Sequence, residues 1–349
     1  MKLSPAIQLA LLSTAILAPI SAGAHEGWGV IVDGRGHIYV TDIATNTVWR
    51  ISPDGRIEAA RRGVHSHALS LGSDGSVFGT SVEPASPTRG VWRLDASGRR
   101  SDVIPATREF PLDLQSFLRG PEGVIYSASV YQFPEPPGGR SLFLLRWSPS
   151  GAIDTIAGGP VGHSDGVGRA ARFESIDGMA WLADGSMVVA DGGWLRRVAV
   201  DGRADSFGNK LAERRWDQDL MGVAVAPDGA MYAADFARRV VLRIRGDRVA
   251  TVYRPNIFWA PTGVAATAND LYVLEHPRAP LGILGDIRVG PYLRVRRISR
   301  DGASETLMTK WGSSSREVAG VVFALVGMAA LLRQRRRRSE SRPLPIPDR

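Results

Sequence analysis

One phrase recurs six times along the chain, and a chain built that way has few folds open to it. Its fullest copies run from Gly29-Val30 to Tyr39-Val40-Thr41-Asp42, from Gly178-Met179 to Val188-Val189-Ala190-Asp191, and from Gly222-Val223 to Tyr232-Ala233-Ala234-Asp235. Weaker copies begin at Ala68-Leu69, at Leu114 and at Thr262-Gly263-Val264. Each reads as an alternating strand, a turn carrying Asp-Gly or a substitute, and a second strand. An Arg-centred apolar run follows most copies, as in Val48-Trp49-Arg50-Ile51, Val91-Trp92-Arg93-Leu94 and Val241-Leu242-Arg243-Ile244. A polar Gly turn then closes the unit. Self-similarity at roughly 40 residues is the signature of β-propeller blades. The expected fold is therefore all-β, a six-bladed β-propeller over residues 25–312 with a central channel.

The blades start at Trp28, His67, Asp113, Asp177, Met221 and Thr262. The long interval between Asp113 and Asp177 holds two insertions, the Pro-rich stretch Phe133–Gly139 and Gly158–Phe173. The last strand, Thr306–Trp311, belongs to blade 6 itself, while blade 1 begins near the start of the mature chain. The ring should close by packing of blades 1 and 6, with no shared sheet.

Both ends read differently. Lys2, the apolar run Ala6–Ile20 and the small residues Ser21-Ala22-Gly23-Ala24 have the layout of a secretory signal peptide, residues 1–24. Residues 313–332 contain the apolar stretch Val318–Leu332 and predict a single transmembrane anchor, stretched to spanning length by its flanks. The basic tail 333–349, with Arg333 and Arg335–Arg338, marks the cytoplasmic side and suits anionic lipid headgroups. This ending also resembles the C-terminal sorting tags of some bacterial surface proteins. The propeller is thus expected on the periplasmic or extracellular side of a single-pass membrane protein. Of the net charge of +8, Lys2 and the tail carry all but +2, so the body has no nucleic-acid footprint. Cysteine is absent, which excludes disulfides, a zinc ribbon and a cysteine nucleophile.

In a propeller the first strand of each blade lines the channel and the second runs antiparallel to it. First-strand starts and second-strand ends therefore share one mouth. That brings Trp28, His67, Asp113 and Asp177 together with Asp42, Asp191, Asp235 and Glu275; His65 and His276 adjoin them. Asp42, Asp191 and Asp235 also stand where an Asp caps the turn after a strand. Trp28 suits either packing between blades or stacking on a ligand.

Gly162-His163-Ser164-Asp165-Gly166-Val167-Gly168, followed by Ala-Ala-Arg-Phe173 and the Asp177 blade, resembles the connecting loop of NHL-repeat propellers. The same residues imitate Gly-x-Ser-x-Gly and a dinucleotide fingerprint, but neither has its strand–turn–helix context. Glu26-Gly27 leading to Val40-Thr41-Asp42-Ile43, Gly79-Thr80-Ser81 with Gly90–Asp95, and Asp177-Gly178-Met179 through Gly192-Gly193 are similar to the regucalcin–gluconolactonase (SMP-30) family. That resemblance implies one divalent cation in the channel and hydrolysis of lactones or related esters. Its ligand positions correspond to Glu26 and Asp177, and its two Asn positions fall near His67 and Asp113. A site of Glu26, His67, Asp113 and Asp177 would take Ca, Zn or Mn, the imidazole favouring the latter two. His67-Ala68-Leu69 is similar to a histidine blade start of the amidating lyase propeller. The leading expectation is a membrane-tethered scaffold binding a small molecule or protein at the channel mouth; the alternative is a metal-dependent hydrolase.

Overall fold

The computed structural model describes residues 26–82, 88–108, 116–132, 140–211, 220–277 and 291–311. The signal peptide, the anchor and the basic tail fall outside these residues, as does Asp113. Among the described residues no helix is long and apolar enough to cross a membrane. The chain divides into two units. The first, to residue 286 and again over 293–309, carries the blades; the second, 287–292 and 310–349, lies almost wholly outside the described residues.

Six antiparallel sheets follow one another along the chain. Blade 1 is β1 (Val30–Val32), β2 (Ile38–Asp42), β3 (Thr47–Ile51) and β4 (Ile57–Arg62). Blade 2 is β5 (Leu69–Leu71), β6 (Val77–Val82), β7 (Arg89–Leu94) and β8 (Arg100–Thr107). Blade 3 is β9 (Phe117–Arg119), β10 (Ile125–Gln132), β11 (Arg140–Trp147) and β12 (Ile153–Pro160). Blade 4 has a fifth strand, because β13 (Gly166–Val167) pairs with β17 (Arg203–Ser206) outside β14 (Met179–Trp181), β15 (Met187–Asp191) and β16 (Trp194–Val198). Blade 5 is β18 (Leu220–Val225), β19 (Met231–Asp235), β20 (Val240–Arg245) and β21 (Arg248–Tyr253). Blade 6 is β22 (Trp259–Ala266), β23 (Asp270–Pro277), β24 (Pro291–Ser299) and β25 (Ser304–Trp311). Each sheet uses one contiguous stretch of chain, so among the described residues no N-terminal strand completes blade 6. The insertion read from sequence as a plain loop thus supplies an extra edge strand.

The repeated letters now have physical reasons. The Asp-Gly turns end in glycines at positive φ, 79° at both Gly185 and Gly229, where a Cβ would be strained. Their aspartates accept the backbone N–H two residues on, as Asp184 does from Ser186 (2.9 Å) and Asp228 from Ala230 (3.0 Å). The recurring arginine sits on the third strand; in blades 2, 4 and 5 it reaches back to that turn, whereas Arg50 and Arg146 pair with Glu58 and Asp154 on the fourth strand. Arg93 Nε donates to Ser76 Oγ (3.0 Å) and its Nη2 to Asp74 (2.6 Å). Arg197 repeats this with Ser186 and Asp184.

Neighbouring blades bury apolar faces against each other. Tyr39 and Val48 pack with Leu69 and Trp92 between blades 1 and 2, and Val188 and Leu195 with Val223 and Leu242 between blades 4 and 5. Near the axis the first strands approach backbone to backbone. A Cβ on Gly263 would collide with the Trp28 carbonyl oxygen, and one on Gly222 would lie 2.8 Å from the Gly263 Cα. The glycines that open the repeated phrase set how tightly the ring draws in.

Candidate functional site

The first-strand starts converge as their register requires. The amides of Trp28 and Gly29 both donate to the His67 carbonyl, at 2.9 and 2.8 Å, and Gly178 N donates to Met221 O at 2.8 Å. Thr262 Oγ1 donates to Gly27 O at 2.9 Å, joining blade 6 to blade 1. Trp28, His67, Met221 and Thr262 are all buried. Trp28, Ala68, Phe117 and Met221 belong to one apolar cluster, so the axis at this mouth is packed with hydrocarbon. His67 lies against Trp28 (5.4 Å between ring centroids) and edge-on to His65 (5.0 Å). Asp177 and Glu26 are half-buried at its border. Asp177 accepts a 2.7 Å bond from Ser175 Oγ.

Tautomers follow from these partners. Thr262 spends its hydroxyl proton on a carbonyl, so His276 Nδ1, 3.0 Å from that hydroxyl, carries a proton and donates. His65 Nδ1 lies 3.0 Å from Asn46 Oδ1 and donates in the same way.

The carboxylates at the second-strand ends are engaged locally. Asp42 caps the following turn, accepting from Thr45 N (3.2 Å), Thr45 Oγ1 (2.7 Å) and Trp49 Nε1 (3.0 Å). Asp235 accepts from Arg238 N (2.7 Å) and Arg238 Nε (2.5 Å). Glu275 is held between Tyr253 Oη (2.8 Å) and Arg294 Nε (2.5 Å), and burial raises its carboxyl above the usual range. The crowd of acids that the sequence places at this mouth is thus largely turn and blade architecture. Among the described residues no three His, Asp or Glu side chains group as metal ligands. Glu26, His67 and Asp177 therefore do not make such a group by themselves, and Asp113, the fourth member, lies outside the described residues.

Asp191 organises a network that sequence reasoning missed. It accepts from the amides of Glu174 (2.6 Å) and Ser175 (3.0 Å) and from Arg196 Nη1 (2.9 Å). Burial outweighs these partners and pushes its carboxyl up to about 6. Arg196 is completely buried and also donates to the carbonyls of Arg172 (3.0 Å) and Ser164 (2.9 Å) and to Asp165 Oδ1 (2.9 Å). The NHL-like loop is thereby tied to blade 4. His163 stacks on Trp194 with centroids 3.9 Å apart, and burial followed by the Arg196 charge lowers its pKa. Its Nδ1 faces Arg196 Nη1 at 3.4 Å and must accept; its Nε2 then donates to Ser206 Oγ (3.2 Å), which donates to Asp165 (2.8 Å). With the proton on Nε2, His163 is no base toward Ser206, so the trio is not a nucleophilic triad. Ser164, the centre of the apparent Gly-x-Ser-x-Gly motif, bonds within its own loop, to Asp165 O at 3.2 Å. The signal in the sequence was Asp191 with Arg196 five residues on, across a Gly-Gly turn.

Below the packed mouth, a cavity of about 270 Å³ runs between the first strands of all six blades toward the Asp-Gly turns. The two faces of the ring differ sharply. At the turn face strands are joined by tight links such as 72–76, 182–186 and 226–230. At the mouth face the strand ends are further apart in sequence, as between Val82 and Arg89, Thr107 and Phe117, Gln132 and Arg140, Ser206 and Leu220, and Pro277 and Pro291.

No protein-family model and no curated protein matches the chain. Solved structures do match in fold. A putative gluconolactonase is 16% identical, with 73% of this chain and 87% of that one covered and a TM-score of 0.51. A gluconolactonase from Xanthomonas campestris is 12% identical, with 73% and 84% covered and a TM-score of 0.51. A streptogramin B lyase is 13% identical, with 84% and 86% covered and a TM-score of 0.49. At these identities the likeness is one of fold, the six-bladed propeller.

Proposed function

We propose that the chain is an exported, membrane-tethered propeller whose mouth face binds a small molecule or a protein. The observation that carries this reading is the asymmetry in the spacing of the strand ends, which lie close in sequence at the turn face and further apart at the mouth face. Rigid blades that hold long loops side by side are a common scaffold for recognition. The engagement of Asp42, Asp191, Asp235 and Glu275 by their own surroundings favours recognition over acid–base chemistry at this face. Trp28, His65 and His67 would form its aromatic floor. The N-terminal apolar run and the C-terminal apolar stretch with its arginines support export and tethering.

Two measurements test this. Protease added to intact spheroplasts should digest the propeller and spare an epitope on the basic tail; a protected propeller with a digested tail would reverse the topology. The full-length chain, supplied in turn with Ca, Mn and Zn, should hydrolyse no member of a sugar-lactone and aryl-ester panel. Metal-dependent turnover lost in Asp177→Ala would replace the scaffold with the hydrolase.

A further inference from the structure

Blade 5 breaks the rule by which blades 2 and 4 lock their third-strand arginines. There Nε is satisfied by a serine hydroxyl and Nη2 by the turn aspartate. In blade 5 Ala230 stands at the serine position. Arg243 Nη2 still reaches Asp228 Oδ2, at a longer 3.3 Å, but Nε is buried with no hydrogen-bond partner among the described residues. A buried guanidinium donor left without an acceptor is costly; Arg50 of blade 1 also has one, and Arg243 differs from it in lining a cleft.

A cleft opens at this arginine. It lies on the turn face between blades 5 and 6, away from the mouth, and encloses about 550 Å³, within the range of small-molecule pockets. Tyr232, Val252, Leu271 and Ile298 give it an apolar wall, and Arg243 and Arg300 supply cations. Arg300 is exposed and forms no ion pair among the described residues. The acids beside it are committed elsewhere. Asp228 accepts from Ala230 N and is shared between Arg243 Nη2 (3.3 Å) and Arg245 Nη1 (3.6 Å), and Asp301 accepts from Ser299 Oγ (2.5 Å) and Ala303 N (3.1 Å). Asp270 faces Arg297 at 3.9 Å.

We propose that this cleft binds a small organic carboxylate with a flat apolar body, anchored by the guanidinium of Arg243. The ring of such a ligand would lie along Tyr232 and Ile298, and its carboxylate would pair with the arginine that lacks its serine. Loss of that serine leaves Arg243 held to its turn by the 3.3 Å contact with Asp228 alone, so that a ligand carboxylate can draw the guanidinium toward the cleft. This inference is independent of the mouth face and of what binds there.

The test uses the full-length chain, with 2-naphthoate as probe and 2-naphthamide as its neutral counterpart, followed by equilibrium dialysis. Naphthoate should occupy one site and bind about tenfold more tightly than the amide, the effect of one charged hydrogen bond. Arg243→Ala should weaken naphthoate about tenfold and leave the amide unchanged. Ala230→Ser restores the missing acceptor at a position where blades 2 and 4 already accommodate serine. It should weaken naphthoate severalfold while the circular dichroism spectrum stays that of the parent. Naphthoate bound equally well by the parent and by Ala230→Ser, equal affinity for acid and amide, or no saturable site would each overturn the proposal.

Discussion

Among single residues, Arg196 carries the largest share of local order. It is completely buried and bridges two carboxylates, two backbone carbonyls and a histidine. Replacing it with Met would strand the Asp191 carboxylate without its cation, and breaking a buried pair this way costs about 3–5 kcal/mol. Urea unfolding of Arg196→Met at pH 7 should show a loss of that size. The loss should shrink at pH 5, where the stranded carboxyl takes up a proton. The parent titrates in the same sense. Because burial raises the folded pKa of Asp191 to about 6, from 3.8, the folded state holds that proton more tightly. The stability from this group is fully present below 3.8 and is lost as pH rises through about 6. None of this was legible from residue types. An Asp at a strand end looks the same whether it caps a turn, as Asp42 does, or meets an arginine from another strand, as Asp191 meets Arg196.

At the scale of the strand and the turn, the sequence was far more informative. Alternation and Asp-Gly punctuation located the blades, because a two-residue period and a positive-φ glycine are local requirements. The fifth strand of blade 4 escaped notice because its two residues, Gly166 and Val167, carry no strand pattern; β17 and the Arg196 network hold them in place. First-strand glycines are the sensitive points. Gly263→Ala would press a methyl group into the Trp28 carbonyl, and overpacking of this kind costs about 1–3 kcal/mol. Gly34→Ala, where nothing lies within 4 Å of the new carbon, should be nearly neutral. Denaturation midpoints of the two variants should separate accordingly; equal midpoints would show that the inner ring has slack.

For the molecule as a whole, the ring order, the shared mouth and closure without a common sheet could all be worked out before any coordinates. The choice between a catalytic and a structural role for the mouth acids could not, since it depends on which side chains the fold brings to each, from Arg238 beside Asp235 to the distant Tyr253 beside Glu275. Closure itself has a mechanical side. Five of the six blade interfaces are crossed by the polypeptide, whereas blades 1 and 6 meet only through contacts such as Thr262 with Gly27 and Gly263 with Trp28. The ring is a split washer, and its split is where it should spring first. Native-state hydrogen exchange should show the amides of β1 and β22 opening at lower free energy than those of β14 and β18, which face each other across an interface the chain itself spans. Anything gripping both lips of the split would act as a clasp, and a load pulling on one end of the chain would be felt there before it reached any blade.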